Sequence, residues 1–80
     1  MIELYITPTC PFCIKVLKAA EQMGLAEGEH YQLVDASPGA QGRLTVRNTG
    51  GKEMVPFLID GTVSMYESDD IIAYLKSHLR

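Results

Sequence analysis

No run of apolar residues in this sequence approaches the roughly 18 that a membrane-crossing helix needs, so no membrane-spanning helix is expected. The N-terminus, Met1-Ile2-Glu3-Leu4, lacks a basic segment leading into a long apolar core, so no secretory signal is expected either. Basic charge is scarce. The 7 Lys and Arg stand against 10 Asp and Glu, for a net charge of -3 at pH 7, whereas a nucleic-acid binder normally shows a basic face. Cysteine is scarcer still, with 2 in 80 residues. Zinc usually takes four ligands. A second cysteine pair is missing, and His30 and His78 are distant in sequence, which disfavours a zinc site. Repeats, linkers and low-complexity stretches are also absent, so residues 1–80 are expected to form one domain. A chain this short buries a limited core. Its 46% hydrophobic and 21% charged residues are ordinary for a soluble globular domain.

The two cysteines lie three apart in Thr9-Cys10-Pro11-Phe12-Cys13. The stretch follows a strand pattern, residues 2–6, and precedes a helical pattern, residues 12 to about 23. At the start of a helix, the Cys10 sulfur lies near the unpaired N–H groups of the first turn. Those donors and the positive end of the helix dipole favour a thiolate. Pro11 then takes the first helical position, where its missing N–H costs nothing. Cys13 is one turn further in, within reach of Cys10. The pattern predicts that Cys10 attacks a disulfide and Cys13 resolves the mixed disulfide. A purely structural bridge is disfavoured, since so short a loop restrains little of the unfolded chain. A C-x-x-C without an export signal fits a reducing cytosol, so a cytoplasmic location is expected.

In chain order, residues 2–6 read as a strand with Ile2, Leu4 and Ile6 on its apolar face, broken by Pro8. Phe12, Val16, Leu17, Ala20 and Met23 form the apolar stripe of an amphipathic helix, with Gly24 as its C-terminal cap. Lys15 and Lys18 read as solvated charges, with Lys15 near enough to the motif to assist a thiolate. Residues 30–35 read as a second strand, parallel to the first through a right-handed crossover. Ser37-Pro38 predicts a helix running to about Arg47, weakened by Gly39 and Gly42 and ended by the flexible turn of residues 48–52. Residues 54–60 read as a strand with Pro56 near its start. Asp60-Gly61 turns into a returning strand at 62–65. Ser68 is the expected N-cap of a last helix with Ile71, Ile72, Leu75 and Leu79 buried. His30 reads as a strand-edge or loop residue. His78, with Lys76 and Arg80, reads as a cation at the helix's negative end, without catalytic assignment.

This order of elements resembles the glutaredoxins over essentially the whole chain. Thr9 to Cys13 match that family's T-C-P-[YF]-C motif, and Met54-Val55-Pro56 is similar to its T-V-P segment with Met for Thr. Asn48, Gly51-Lys52, Val55-Pro56, Asp60-Gly61, Glu67-Ser68, Ile71-Ile72 and Tyr74-Leu75 also look like the glutathione-binding half of the glutathione transferase N-terminal domain. The resemblance implies an α/β thioredoxin/glutaredoxin fold, a four-stranded mixed sheet flanked by three helices, with Pro56 cis. It implies a thiol-disulfide oxidoreductase with glutathione as co-substrate and no metal. The Val55 backbone would pair with the cysteinyl part of glutathione. Ser68 and Asp69 would bind the γ-glutamyl carboxylate, Glu67 or Asp69 the ammonium, and Phe12 would wall the sulfur. Simple capping explains Glu67-Ser68-Asp69 equally well in isolation, and packing explains Phe12.

One position departs from the family pattern. Glutaredoxins commonly carry a basic residue three positions before the first motif cysteine, and here that residue is Thr7. An anionic ligand approaching a net-negative protein needs a local cation. Arg47 and Lys52 are the candidates, and both read equally well as solvated loop charges. The expected partners are glutathione and disulfide-containing or glutathionylated proteins, with no nucleic acid or membrane, for a monomer. The rival readings are a thioredoxin-like electron donor to one protein partner and a glutathione-bridged iron–sulfur carrier. A complete transferase is not expected, because the chain ends where that family's helical substrate domain would begin.

Overall fold

The structure, a computed structural model, describes residues 1–79. Its elements run β1 (Ile2–Ile6), α1 (Pro11–Gln22), β2 (Tyr31–Asp35), α2 (Gln41–Gly50), β3 (Phe57–Asp60), β4 (Val63–Met65) and α3 (Ser68–Leu79). The strands form one mixed sheet in the order β2-β1-β3-β4. β1 is parallel to β2, with Leu4 opposite Leu33, and antiparallel to β3, with Leu4 opposite Leu58. This is the thioredoxin/glutaredoxin architecture.

Strand residues alternate between faces, and here both faces are covered. Ile2, Leu4 and Leu58 pack with Val16 and Ala20 of α1 and Ile71 and Leu75 of α3. On the other face Tyr5 and Phe57, paired across β1 and β3, pack with Ala36, just after β2, and with Val46 of α2. A central strand is buried on both sides. Tyr5, which the alternation opposes to the apolar face, is therefore buried. Its hydroxyl donates to Glu3 Oε1 at 3.0 Å. Burial first, then the Glu3 bond and charge, pushes the phenol up to about 12.

α1 ends with Gly24 N–H on the Glu21 carbonyl and Leu25 N–H on the Ala20 carbonyl, both at 3.0 Å. That is the Schellman arrangement, and it carries Leu25 into the core beside Ala20. His30 precedes β2 and is a loop residue whose Nδ1 accepts the Ala26 N–H at 2.9 Å.

The largest departure from expectation is α2. Ser37 does not cap it. Its N–H and hydroxyl both donate to Asp35 Oδ1, at 3.0 and 2.6 Å. The Ala40 N–H returns to the Ser37 carbonyl at 2.9 Å, across a Gly39 with φ of 87°. A proline followed by a left-handed glycine makes a type II turn, which postpones the helix to Gln41. α2 then runs on through Asn48, Thr49 and Gly50, and stops at a left-handed Gly51. Similarly, β3 begins at Phe57 and not at Met54. Ser68 is the first residue of α3, and the Glu67 carbonyl takes the first helical bond, from Ile71 at 2.9 Å.

Candidate active site

Cys10 is the N-cap of α1, in extended backbone with φ -80° and ψ 120°. The N-cap carbonyl accepts the Ile14 N–H at 3.0 Å, and the Cys10 sulfur accepts the Cys13 N–H at 3.3 Å. A side chain that accepts from the first turn normally belongs to Ser, Thr, Asp or Asn. Here a sulfur does the same work. Pro11 at the first position leaves no competing N–H beside it. The thiol is within 3.9 Å of the Val55 carbonyl, and the Val55-Pro56 peptide is cis.

Both cysteines are free thiols in different environments: Cys10 is partly open to solvent and Cys13 is buried. Burial pushes the Cys13 thiol up to about 11, aided by the neighbouring Cys10 and opposed by the Thr7 backbone. Cys13 is therefore overwhelmingly protonated at neutral pH.

Beside Cys10 lies a groove of about 240 Å³. Phe12, Val55, Pro56, Glu67, Ser68 and Asp69, brought together from α1, the loop before β3 and the start of α3, all line it. Lys52 and Arg47 are absent from that lining. The Lys52 backbone is engaged instead by Tyr66, whose hydroxyl accepts the Lys52 N–H at 2.9 Å and donates to its carbonyl at 2.8 Å. Arg47 is an exposed residue near the end of α2.

Of the other lining residues, Lys15 and Met54 lie in stretches that the sequence ties to the site, whereas Tyr66 had no sequence signal pointing to it. Lys15 does not turn to the sulfur. Its Nζ pairs with Asp69 Oδ1 at 2.6 Å, joining α1 to α3. Tyr66 packs on Phe57, ring centroids 4.5 Å apart with the planes tilted by 47°, and braces the loop that carries Val55. Gly50 is part of that brace, since a Cβ there would fall 2.2 Å from the Tyr66 hydroxyl oxygen. Arg43 steadies the same loop, donating from Nε to the Ala36 carbonyl at 2.8 Å and from Nη1 to the Glu53 carbonyl at 3.4 Å. In the sequence Gly50 reads only as part of a flexible turn, which does not reveal this close approach. Tyr66→Phe keeps the ring packing and removes both Lys52 bonds. A loss of about 1–2 kcal/mol is expected from denaturant unfolding. An unchanged midpoint would mean that the loop does not depend on the phenol.

Residues 4–79 match the family model of the glutathione S-transferase N-terminal domain. The chain belongs to this family. A delta-class glutathione transferase from Nilaparvata lugens aligns with a TM-score of 0.78 at 26% identity, over 98% of this chain and 36% of that one. Among small redox proteins, a glutaredoxin from Archaeoglobus fulgidus has a TM-score of 0.73 at 18% identity, over 99% and 85% of the two chains. A thioredoxin-like protein has a TM-score of 0.73 at 21% identity, over 96% and 97%. These last two share its fold. The chain spans about a third of the transferase structures it matches. No curated protein matches it. For this glutathione S-transferase N-terminal domain, family and fold together support a thiol-redox or glutathione-related role.

Proposed function

We propose that this protein is a glutathione-dependent thiol-disulfide oxidoreductase of the cytoplasm, with Cys10 as nucleophile and Cys13 as resolving thiol. The observation that carries the reading is the Cys10 sulfur, bonded to the first turn of α1 and opening beside a groove. The Cys10 thiolate attacks the glutathione sulfur of a glutathionylated substrate. The substrate–glutathione bond breaks, and the leaving thiolate takes the electron pair and then a solvent proton. A Cys10–glutathione disulfide remains. A second glutathione thiolate attacks its glutathione sulfur, releasing glutathione disulfide and restoring the Cys10 thiolate. In the dithiol route Cys13 attacks Cys10 instead and expels glutathione.

Groove residues divide the ligand between them. The Val55 backbone pairs with the cysteinyl unit, Phe12 walls the sulfur, and the start of α3 at Ser68 and Asp69 takes the γ-glutamyl end. Backbone N–H groups at a helix N-terminus suit a carboxylate, and Glu67 or Asp69 suits an ammonium. The test is reduction of a small glutathione mixed disulfide, coupled to glutathione reductase and NADPH. Turnover dependent on glutathione supports the reading. Its absence, with a redox-active Cys10–Cys13 pair, moves the protein to a thioredoxin-like electron donor for one protein partner. Phe12 and Met54, 61% and 47% exposed beside the groove, favour that second reading as an apolar docking surface.

The raised Cys13 thiol has a kinetic consequence. Only its thiolate can close the Cys10–Cys13 disulfide. Burial, the largest cause of that rise, persists when Cys10 is held in the Cys10–glutathione disulfide, so closure is expected to keep accelerating, by up to about tenfold per pH unit, from pH 7 past the ordinary thiol range at ~8.5. Rapid-mixing measurements of glutathione release check this. A rate that levels off near pH 8 would show that Cys13 ionises far more readily than its burial implies.

A further inference from the structure

Arg43 lies on α2, outside the groove lining, and its side chain is only 21% exposed. A guanidinium that far out of water needs compensation from the groups around it. The one carboxylate it pairs with among the described residues gives little, since Glu53 Oε1 is 4.0 Å from Nη1 on a half-exposed side chain. Two backbone carbonyls engage the guanidinium instead, Ala36 on Nε at 2.8 Å and Glu53 on Nη1 at 3.4 Å. Those carbonyls belong to the two backbone segments that lead to the sulfur. The Ala36 N–H donates to the carbonyl of Ile6 at 2.8 Å, at the end of the strand that feeds the Cys10 loop. Glu53 lies in the loop that carries Val55, whose carbonyl is 3.9 Å from the Cys10 sulfur. Tyr66 holds the neighbouring Lys52 through both its backbone groups, so the loop is pinned at two consecutive residues.

We infer that Arg43 is a positioning residue of the thiol site, which bridges the Ala36 and Glu53 carbonyls and so fixes the gap between the Cys10 sulfur and the Val55 backbone that a disulfide substrate must enter. What acts is the planar fork, which serves two acceptors at once, and not the charge. The Glu53 side chain is dispensable, because the acceptor is its backbone carbonyl. With the loop held before binding, a substrate that pairs with Val55 does not have to order it. Without Arg43, every binding event carries that ordering cost. The clamp itself is a property of the fold. Its kinetic consequence deepens the glutathione reading and rests on it.

Arg43→Met keeps a long, helix-forming side chain and removes the fork. With the whole chain in the coupled assay, it is expected to raise KM for a glutathione mixed disulfide about 3- to 10-fold at unchanged kcat. Arg43→Lys should resemble Arg43→Met, since a point charge does not bridge two carbonyls. Glu53→Gln should match the wild type. A second readout needs no glutathione. Lys52 is exposed, and a lysine-specific endoprotease is expected to cut after it about tenfold faster in Arg43→Met, in proportion to the population of the opened loop. Gly61→Ala is the control for lost stability. It strains a hairpin glycine at φ 61° with nothing within 4 Å, and should leave KM and Lys52 cleavage within about twofold of the wild type. A lower kcat at unchanged KM in Arg43→Met, with Lys52 cut no faster than in Gly61→Ala, would overturn the inference and leave Arg43 as a brace of the fold. Full recovery in Arg43→Lys would overturn it as well, because charge alone would then suffice. A wild-type protein that turns over no glutathione mixed disulfide would refute the glutathione reading, and Lys52 cleavage would then decide the clamp alone.

Discussion

Cys10→Ser is expected to abolish turnover of a glutathione mixed disulfide, by at least about a thousandfold, while Cys13→Ser keeps most of it. The asymmetry follows from the two sulfur environments. Cys10 holds the N-cap of α1, accepts the Cys13 N–H at 3.3 Å, is partly open to solvent and lies 3.9 Å from the carbonyl of Val55, a residue that lines the groove. Cys13 is buried, and burial keeps its thiol up at about 11. A buried protonated thiol cannot compete as attacker with a partly exposed sulfur at a helix N-terminus. It also makes a slow resolver at neutral pH, so on the proposed mechanism the monothiol route, completed by glutathione in solution, is expected to carry most of the turnover. Serine at position 10 preserves the cap, because its hydroxyl accepts the same N–H. The loss then reports chemistry and not folding, which thermal unfolding of the variant checks. Equal loss in both variants would make the dithiol route obligatory. Full activity in Cys10→Ser would remove Cys10 from the mechanism.

Gly42→Ala is the substitution expected to cost the fold most. On helix propensity alone it should stabilise α2 by about 1 kcal/mol. Packing reverses the sign. A Cβ at position 42 would fall 2.1 Å from the Asp35 carbonyl oxygen and 3.0 Å from the Asp35 carbonyl carbon and Val34 Cγ1. Two of those three atoms are backbone of β2 and its end, so no side chain can swing aside. α2 must move off the sheet, and Val46, 1% exposed, moves with it. The expected loss is about 3 kcal/mol or more. A chain of this length has only about 4–12 kcal/mol in total. Gly39→Ala is the control. It also strains a left-handed residue, φ 87°, but meets nothing within 4 Å, and should cost about 1–2 kcal/mol. Denaturant unfolding of the two variants separates close approach from backbone conformation. A Gly42→Ala midpoint at or above that of the wild type would mean that α2 has room over β2.

The same glycine shows where sequence reading stopped. In the sequence Gly42 only weakens a helical pattern. In the structure it is where α2 approaches the sheet most closely. The approach joins residues seven apart through a turn, and nothing in the local pattern measures the distance across it. Ser37-Pro38 has the same lesson in reverse. The pair reads as a helix start, but Asp35 captures both Ser37 donors and Gly39 completes a type II turn. Two local motifs fitted one stretch, and the competition between them was decided by Asp35 at the end of β2.

Local chemistry by itself determined the strand–helix junction, the Cys10 cap, Pro11 in the first turn and the order of the elements. Each of these depends on neighbours within a few residues and on hydrophobic periods that one stretch carries whole. Tertiary structure alone decided that Cys13 is buried, that the Cys10 sulfur lies 3.9 Å from the Val55 carbonyl, and that Lys15 faces Asp69 and not the sulfur. These contacts join residues 45 and 54 positions apart. Their geometry is set by how α1 and α3 pack on one face of the sheet and by how Tyr66 and Arg43 hold the loop before β3. Side-chain direction at such range comes from packing, which no single stretch of the chain contains.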